Sequence, residues 1–448
     1  MRSTIIYTKR QKLQMLEKSK NIIKNKEIKQ GLITLFLRGI GVLTLFGFTI
    51  FFNRNFDSSV VGDYEFTRMF LLVSGSICLF GTDISILYFA GRLKSEERFY
   101  ELKKLYYKIS ILSFLFCLII GLIFFIFFDS TFINSFFGSE NSYKITSYSI
   151  LFLFFNVWTL FNTEVLRALD QIVWSELFRN TFKFFPVIFG AIILYGSEKE
   201  ESIVFYYILG FVILGLITSV FVLVLLSKIP KSKHNYSSIT YREIIDYSLP
   251  MGISSFAVYL FSTIDIIILR NYFSSSDVAL YALGIKIMAI LSMVILSINV
   301  NLSPQIAELY LKNELDELKK VLRHSSRFIF LLSVTIGLII ILFSDYILPI
   351  FGAEYIAAKT ALLILVIGQI LISSLGSSAA YLNMTGRPKV FRSFLLIALL
   401  INLSLNLILI PKFGIIGASI TYVLTILFWN LCAVIYIYQK DKIKIYIN

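Results

Sequence analysis

Polar and apolar positions in this chain do not alternate with a short period. Apolar residues run on in stretches of about twenty or more, the length a helix needs to cross the hydrocarbon core of a bilayer. Twelve such spans are predicted: about 31 to 52, 67 to 90, 106 to 128, 144 to 168, 174 to 195, 203 to 226, 244 to 270, 278 to 303, 325 to 349, 358 to 383, 389 to 410 and 415 to 438. They are apolar on all sides rather than at every second residue, which argues for helices and against a barrel. The expected fold class is an all-α polytopic membrane protein of twelve transmembrane helices. About thirty polar and basic residues precede the first run and no small-residue cleavage site ends it, so it does not read as a signal peptide.

Loop charge orients these spans. With residues at span edges counted with the adjoining loop, thirty-one of the 42 Lys and Arg fall in the arm, alternate loops and tail on one side, seven, Arg68 among them, fall on the other side, and four, Arg38, Arg179, Lys183 and Lys286, remain within spans. The positive-inside rule then predicts both termini in the cytoplasm. The expected organisation is a basic cytoplasmic arm at 1 to 30, a six-helix lobe at 31 to 226, a cytoplasmic connector at 227 to 243, a second six-helix lobe at 244 to 438 and a cytoplasmic tail at 439 to 448. The arm's Ile, Leu and Met among lysines suit either a solvated tail or a helix on an anionic membrane surface, and leave room for a partner.

Composition agrees with a bilayer as the main partner: hydrophobic residues make up 57% of the 448, with 43 Phe and 25 Tyr, and mean hydropathy is +0.78. The net charge of +14 follows from topology and implies no nucleic-acid partner. Cys78, Cys117 and Cys432 lie in apolar runs as small hydrophobes, and His234 and His324 have no ligand cluster around them, so no metal site is expected. Short loops leave no room for an outer domain. No phosphate-binding glycine loop or catalytic carboxylate pair marks an ATPase or an enzyme. No cofactor is implied; a coupling ion or the membrane potential is left as the drive.

A weak internal repeat favours transport. Arg54-Asn55-Phe56 after the first span aligns with Arg270-Asn271-Tyr272 after the seventh, and Tyr64 with Tyr281 after one inserted residue. Parallel repeats of this kind rock about a central cavity.

Charges inside spans mark candidate sites, because burying one is costly without water or a counter-ion. Arg179 and Lys183 in WSELFRNTFKFFPVIFG stand four residues apart on one helix face, and Arg38 lies in the first span. These three cations are the candidate anion-binding residues, with Asp83 expected to neutralise one of them. Asp265 and Lys286 are expected to pair across a turn or to serve coupling. Glu164, Arg167 and Glu176 form a candidate cytoplasmic gate.

Three stretches, GTDISILYFAGR at 81 to 92, SPQIAELYLKNELDELKKVLRHSSR at 303 to 327 and FGAEYIAAKTALLILVIGQILISSLGSSAAYLNMTGRPK at 351 to 389, give the chain a resemblance to the bacterial polysaccharide exporters and O-antigen flippases of the multidrug, oligosaccharidyl-lipid and polysaccharide exporter superfamily. The resemblance implies a two-lobed, twelve-helix, MATE-like exporter that turns an undecaprenyl-pyrophosphate-linked oligosaccharide from the inner to the outer leaflet by alternating access, for capsule or O-antigen synthesis. It also implies a place in a bacterial plasma (inner) membrane, glycosyltransferases or a polysaccharide polymerase as partners, and a cationic cavity, for which Arg38, Arg179 and Lys183 are available. The alternatives are a cation-coupled multidrug exporter of the same superfamily, which Asp83 and Asp265 would suit, and a membrane sugar polymerase or ligase.

Overall fold

The computed structural model describes residues 36–137, 140–197, 199–229, 239–261 and 263–447. The basic arm at 1 to 30 and most of the 227 to 243 connector lie outside the described residues. Helix α1 spans Phe36–Asn55. It is followed by α2 (Ser58–Leu79), α3 (Thr82–Ser95), α4 (Leu102–Phe127), α5 (Ser130–Phe137), α6 (Ser142–Leu151), α7 (Leu153–Ala168), α8 (Ile172–Asn180), α9 (Phe185–Leu194) and α10 (Ile203–Ser227). The C-terminal half contains α11 (Tyr241–Phe261), α12 (Ile264–Tyr272), α13 (Ser275–Leu311), α14 (Leu315–Leu342), α15 (Ser344–Ile347), α16 (Lys359–Ser373), α17 (Ser378–Met384) and α18 (Pro388–Asp441).

This is an all-α, multi-pass membrane protein. Among the described residues eight helical stretches are long and apolar enough to cross a bilayer, and the bent pairs α2–α3 (44°) and α6–α7 (51°) bring the number to ten. The sequence predicts twelve, and the difference has two physical causes. The run at 244 to 270 is divided between α11, which carries Pro250, and the short α12. The runs at 389 to 410 and 415 to 438 are joined in α18, 54 residues interrupted by non-helical Gly414. A straight helix of that length would reach about 80 Å. Instead Asn402 donates to Thr425 Oγ1 at 3.1 Å, and a Cβ on Gly417 would meet the Leu409 carbonyl at 2.3 Å, so α18 folds back on itself as a helical hairpin.

The surface confirms where the lipid is. On α4, Leu118, Leu122, Ile126 and Phe127 are exposed while Leu105, Ile109, Ser113 and Cys117 face the bundle. Such an apolar surface is unfavourable in water and suits hydrocarbon. Helix α2 begins nine residues before the run predicted at 67, since its polar first turns are buried against α13 rather than exposed in a loop; Gly62, Tyr64 and Glu65 are all buried. The α2–α3 bend comes from two consecutive left-handed residues, Phe80 (φ 51°) and Gly81 (φ 80°). A bulky residue at positive φ is costly, and the packing around it must hold it there.

Residues of the α1–α2, α9–α10 and α15–α16 connections line one basin, which marks the far end of the bundle; the opposite end, where Lys94 meets Asp170 at 2.7 Å and Arg387 meets Tyr310 at 2.9 Å, is called the basic end below. The tail is packed rather than extended from the basic end. Ile443 and Ile445 are fully buried, Ser326 Oγ donates to the Ile445 carbonyl at 2.6 Å, and the Ile447 amide donates to Ser374 O at 2.9 Å. Arg387 grips Asp441 with both terminal nitrogens, at 2.5 and 2.8 Å. Removal of residues from Lys442 onward is expected to cost about 3 to 5 kcal/mol, from two buried isoleucines, read as a lowered thermal midpoint in detergent; an unchanged midpoint would show that this packing contributes nothing.

Candidate functional site

The break that ends α8 creates the site. Pro186 has no N–H and cannot bond back to the carbonyl of Phe182, so the chain passes through a 3₁₀ turn at Phe182–Phe184 before α9 starts. Arg179, in the last turn of α8, and Lys183, in the 3₁₀ turn, thereby line one cavity of about 90 Å³ in the N-terminal half, together with Arg68, Asn156, Thr163 and Tyr207. The sequence places Arg179 and Lys183 on one face; the structure keeps them in one cavity although the helix is broken between them. Arg68, which the sequence assigns to the outer edge, is a missed member of the site. Its signal was its spacing from Glu65, three residues earlier in a segment that did not read as helix.

The three cations differ in how they are held. Arg179 pairs with Glu164 at 2.6 Å, and Arg68 pairs with Glu65 at 2.8 Å. Lys183 has no carboxylate partner among the described residues, and its ammonium lies 5.0 Å from the centre of the Phe184 ring. Asp83 does not neutralise any of them: it is buried in the first turn of α3, where the helix N-terminus favours a negative charge, and forms no ion pair among the described residues.

Arg38 is directed elsewhere. The α7–α8 turn runs through Asp170 at φ 62°, and this tight reversal brings Arg167 to Glu176 at 2.7 Å. Arg167 also reaches Glu164 at 3.2 Å, Arg38 pairs with Glu176 at 3.1 Å, and Asn180 donates to Glu176 at 2.7 Å. Glu164, Arg167 and Glu176 therefore do gather, and Arg38 joins them, but the cluster ties α1, α7 and α8 of one half together rather than bridging the halves. With Glu176 buried, Glu176→Gln is expected to lower stability by about 3 kcal/mol, as breaking a buried pair does; an unchanged thermal midpoint would exclude this clamp role.

Contacts between the halves close both ends. At the far end Asp63 pairs with Arg270 at 2.7 Å and accepts from Ser275 Oγ at 2.7 Å, while Ser58 donates to Ser276 at 2.9 Å. At the basic end Arg92 pairs with Glu243 at 2.5 Å, Ser85 and Ser248 share a hydrogen bond of 2.7 Å, and the rings of Tyr88 and Tyr247 stack at 5.0 Å. Each seal includes a glycine against backbone: a Cβ on Gly62 would lie 1.6 Å from the Ser275 carbonyl oxygen, and one on Gly252 would lie 2.6 Å from the Phe80 carbonyl carbon. The expected Asp265–Lys286 pair is absent. Lys286 crosses to Glu65 and to Thr49 in the N-terminal half, whereas Asp265 accepts from Tyr281 at 2.5 Å and keeps one buried oxygen without a hydrogen-bond partner among the described residues. Sequence neighbourhood favoured the wrong partner because it cannot show which way a helix faces across the bundle.

A model of the polysaccharide biosynthesis protein family matches residues 28–310, more than half of the chain. The chain belongs to that family. The MatE family model matches residues 250–408, and the chain is a member of the multidrug, oligosaccharidyl-lipid and polysaccharide exporter superfamily. Over 240 residues it is 29% identical to a protein of Haloferax volcanii named as the probable low-salt glycan biosynthesis flippase Agl15, covering 53% of this chain and 49% of that one; the chain thus spans about half the length of this curated relative. Two solved structures share its fold at 15% identity. One is the lipid II flippase MurJ in an inward closed conformation, with a TM-score of 0.70 over 92% of this chain and 87% of that one. The other is an inward-facing multidrug resistance MATE family transporter, with a TM-score of 0.67 over 92% and 99%. Within this polysaccharide biosynthesis protein, the 28–310 match contains all three cavity cations and both glycine seals.

Proposed function

We propose that this protein moves a polyprenyl-pyrophosphate-linked oligosaccharide, of the undecaprenyl type, across the membrane by alternating access. The observation that carries the reading is Lys183, a cation without a carboxylate partner among the described residues, beside Arg68 and Arg179 in one cavity. A pyrophosphate supplies the missing negative charge, and the fork of arginine donates several charged hydrogen bonds to it. The sugar follows the path that opens between the halves when one seal releases, while the polyprenyl tail stays in lipid. No covalent step is required.

In this reading the ten spans plus the second arm of α18 and the α11–α12 pair make twelve crossings, in lobes of residues 31 to 226 and 244 to 438 with both termini cytoplasmic. Pseudo-symmetry supports it: Tyr64 is the seventh residue of α2, Tyr281 the seventh of α13, and both are fully buried. Arg38 acts as a clamp, and Asp265, with its unpartnered oxygen, is the candidate for proton or cation coupling. A far-end basin of about 1310 Å³ presents Asp57, Glu200, Glu201 and Glu354 against Arg54, so a delivered anion is not held there.

The second reading, export of lipophilic cations, is favoured by the MatE match over 250–408 and by the multidrug transporters that share the fold. Cargo separates the two. Purified protein in liposomes is expected to carry a lipid-linked oligosaccharide to the outer leaflet and not to move rhodamine-type cations; the reverse result would establish multidrug export instead.

A further inference from the structure

Arg68 faces the cavity, yet its guanidinium donates two hydrogen bonds, of 3.0 and 2.8 Å, to Glu65 Oε2. The other oxygen of Glu65 accepts from Lys286 of α13, in the opposite half. The Glu65 side chain is 1% exposed. One buried carboxylate is therefore shared by two cations, only one of which reaches the cavity.

Charge matching gives this sharing a consequence. A singly charged anion in the cavity is balanced by Lys183 alone. A doubly charged anion needs a second cation, which must be taken from an internal carboxylate, and a buried carboxylate left bare is strongly disfavoured. Releasing Arg179 would leave Glu164 and Glu176 to Arg167 and Arg38, whose side chains are 27% and 48% exposed, so solvent screens their hold on the two carboxylates; Lys286 is only 8% exposed. Releasing Arg68 leaves Glu65 with Lys286, which serves no other carboxylate among the described residues. Arg68 is thus the cation that can be transferred at least cost.

We propose that Glu65 sets the minimum charge of the cargo: it retains Arg68 until an anion with two or more negative charges, such as a diphosphate headgroup, enters the cavity and takes Arg68 over, while Lys286 keeps Glu65 neutralised. Glu65 is a specificity-determining residue that does not touch the cargo, and Lys286 is a positioning residue acting from the other half. The inference rests on the flippase reading for the identity of the anion.

Calorimetric titration of the full-length protein in detergent, with inorganic pyrophosphate as the dianion-or-higher probe and methanesulfonate as the monoanion, tests it. The wild type is expected to prefer pyrophosphate. Glu65→Gln is expected to compress that preference about tenfold by strengthening methanesulfonate binding, because Arg68 is then already free, and Lys286→Gln to weaken pyrophosphate binding about tenfold, because Glu65 can no longer release Arg68. The second variant leaves Glu65 bonded to Arg68, so its fold does not depend on the exchange. An unchanged preference in Glu65→Gln, unchanged pyrophosphate affinity in Lys286→Gln, or no pyrophosphate binding by the wild type would each overturn the proposal. Transport of lipid-linked oligosaccharide, measured separately in liposomes, shows whether the cargo reading stands or falls on its own.

Discussion

Replacing both Arg179 and Lys183 with glutamine is expected to slow lipid-linked oligosaccharide movement per molecule on the order of a hundredfold or more: Lys183 loses its charge-assisted hydrogen bond to the headgroup, and Arg179, which holds Glu164 through one terminal nitrogen, loses the one its other N–H groups make, each worth about 1.5 to 3 kcal/mol. Folding should persist. Glu164 keeps Arg167 when Arg179 is removed, and Lys183 gives up no ion pair among the described residues. Arg179→Lys should recover part of the rate, because charge remains while the planar fork is lost. Arg38→Gln should behave differently, lowering stability rather than rate, since Arg38 is held on Glu176. Outer-leaflet glycolipid measured against time in liposomes of known protein content separates these outcomes. Full activity per molecule in the double variant would sink the headgroup role.

The glycine seals carry the second large effect. In Gly62→Val the new Cβ, 1.6 Å from the Ser275 carbonyl oxygen, forces α2 and α13 apart by about 2 Å, since ordinary contact begins near 3.4 Å. No rotamer avoids the overlap, because it is made by Cβ itself and met by backbone. The far end is then held open, transport is expected to stop, and a cysteine at Ser276 should become reactive to an impermeant thiol reagent. Gly252→Val should do the same at the basic end, exposing a cysteine at Ser248, which is fully buried in the native protein. Neither glycine has a positive φ, so each effect is steric and not one of backbone strain. Near-normal transport by either variant would mean that its seal opens and closes without close approach of the backbones.

These glycines also show where sequence reading ends. Continuous apolar runs fix which segments cross the membrane, because hydrocarbon demands it residue by residue. Spacing brought Arg179 and Lys183 into one cavity, since both partners belong to neighbouring turns. Glu65, 221 residues from Lys286, was out of reach: its segment, SSVVGDYEFTR, reads as a polar loop until α13 covers it. The same ignorance of helix rotation assigned Lys286 to Asp265 and Asp83 to a cation. What was legible is depth along the membrane normal; what was not is the direction each helix faces, which packing between distant segments decides.

The buried tail bears on how this protein's orientation can be measured. Topology is commonly mapped by truncating a chain and fusing a reporter at the cut. Any such fusion at or before Asp441 would discard Ile443 and Ile445 and uncover the groove formed around Ser326, Ser374 and Gly376, where a Cβ on Gly376 would come within 2.0 Å of the Ile445 carbonyl. The reporter would then sample a bundle lacking its closing segment. Reporters inserted within intact loops leave that segment in its groove and read the native arrangement.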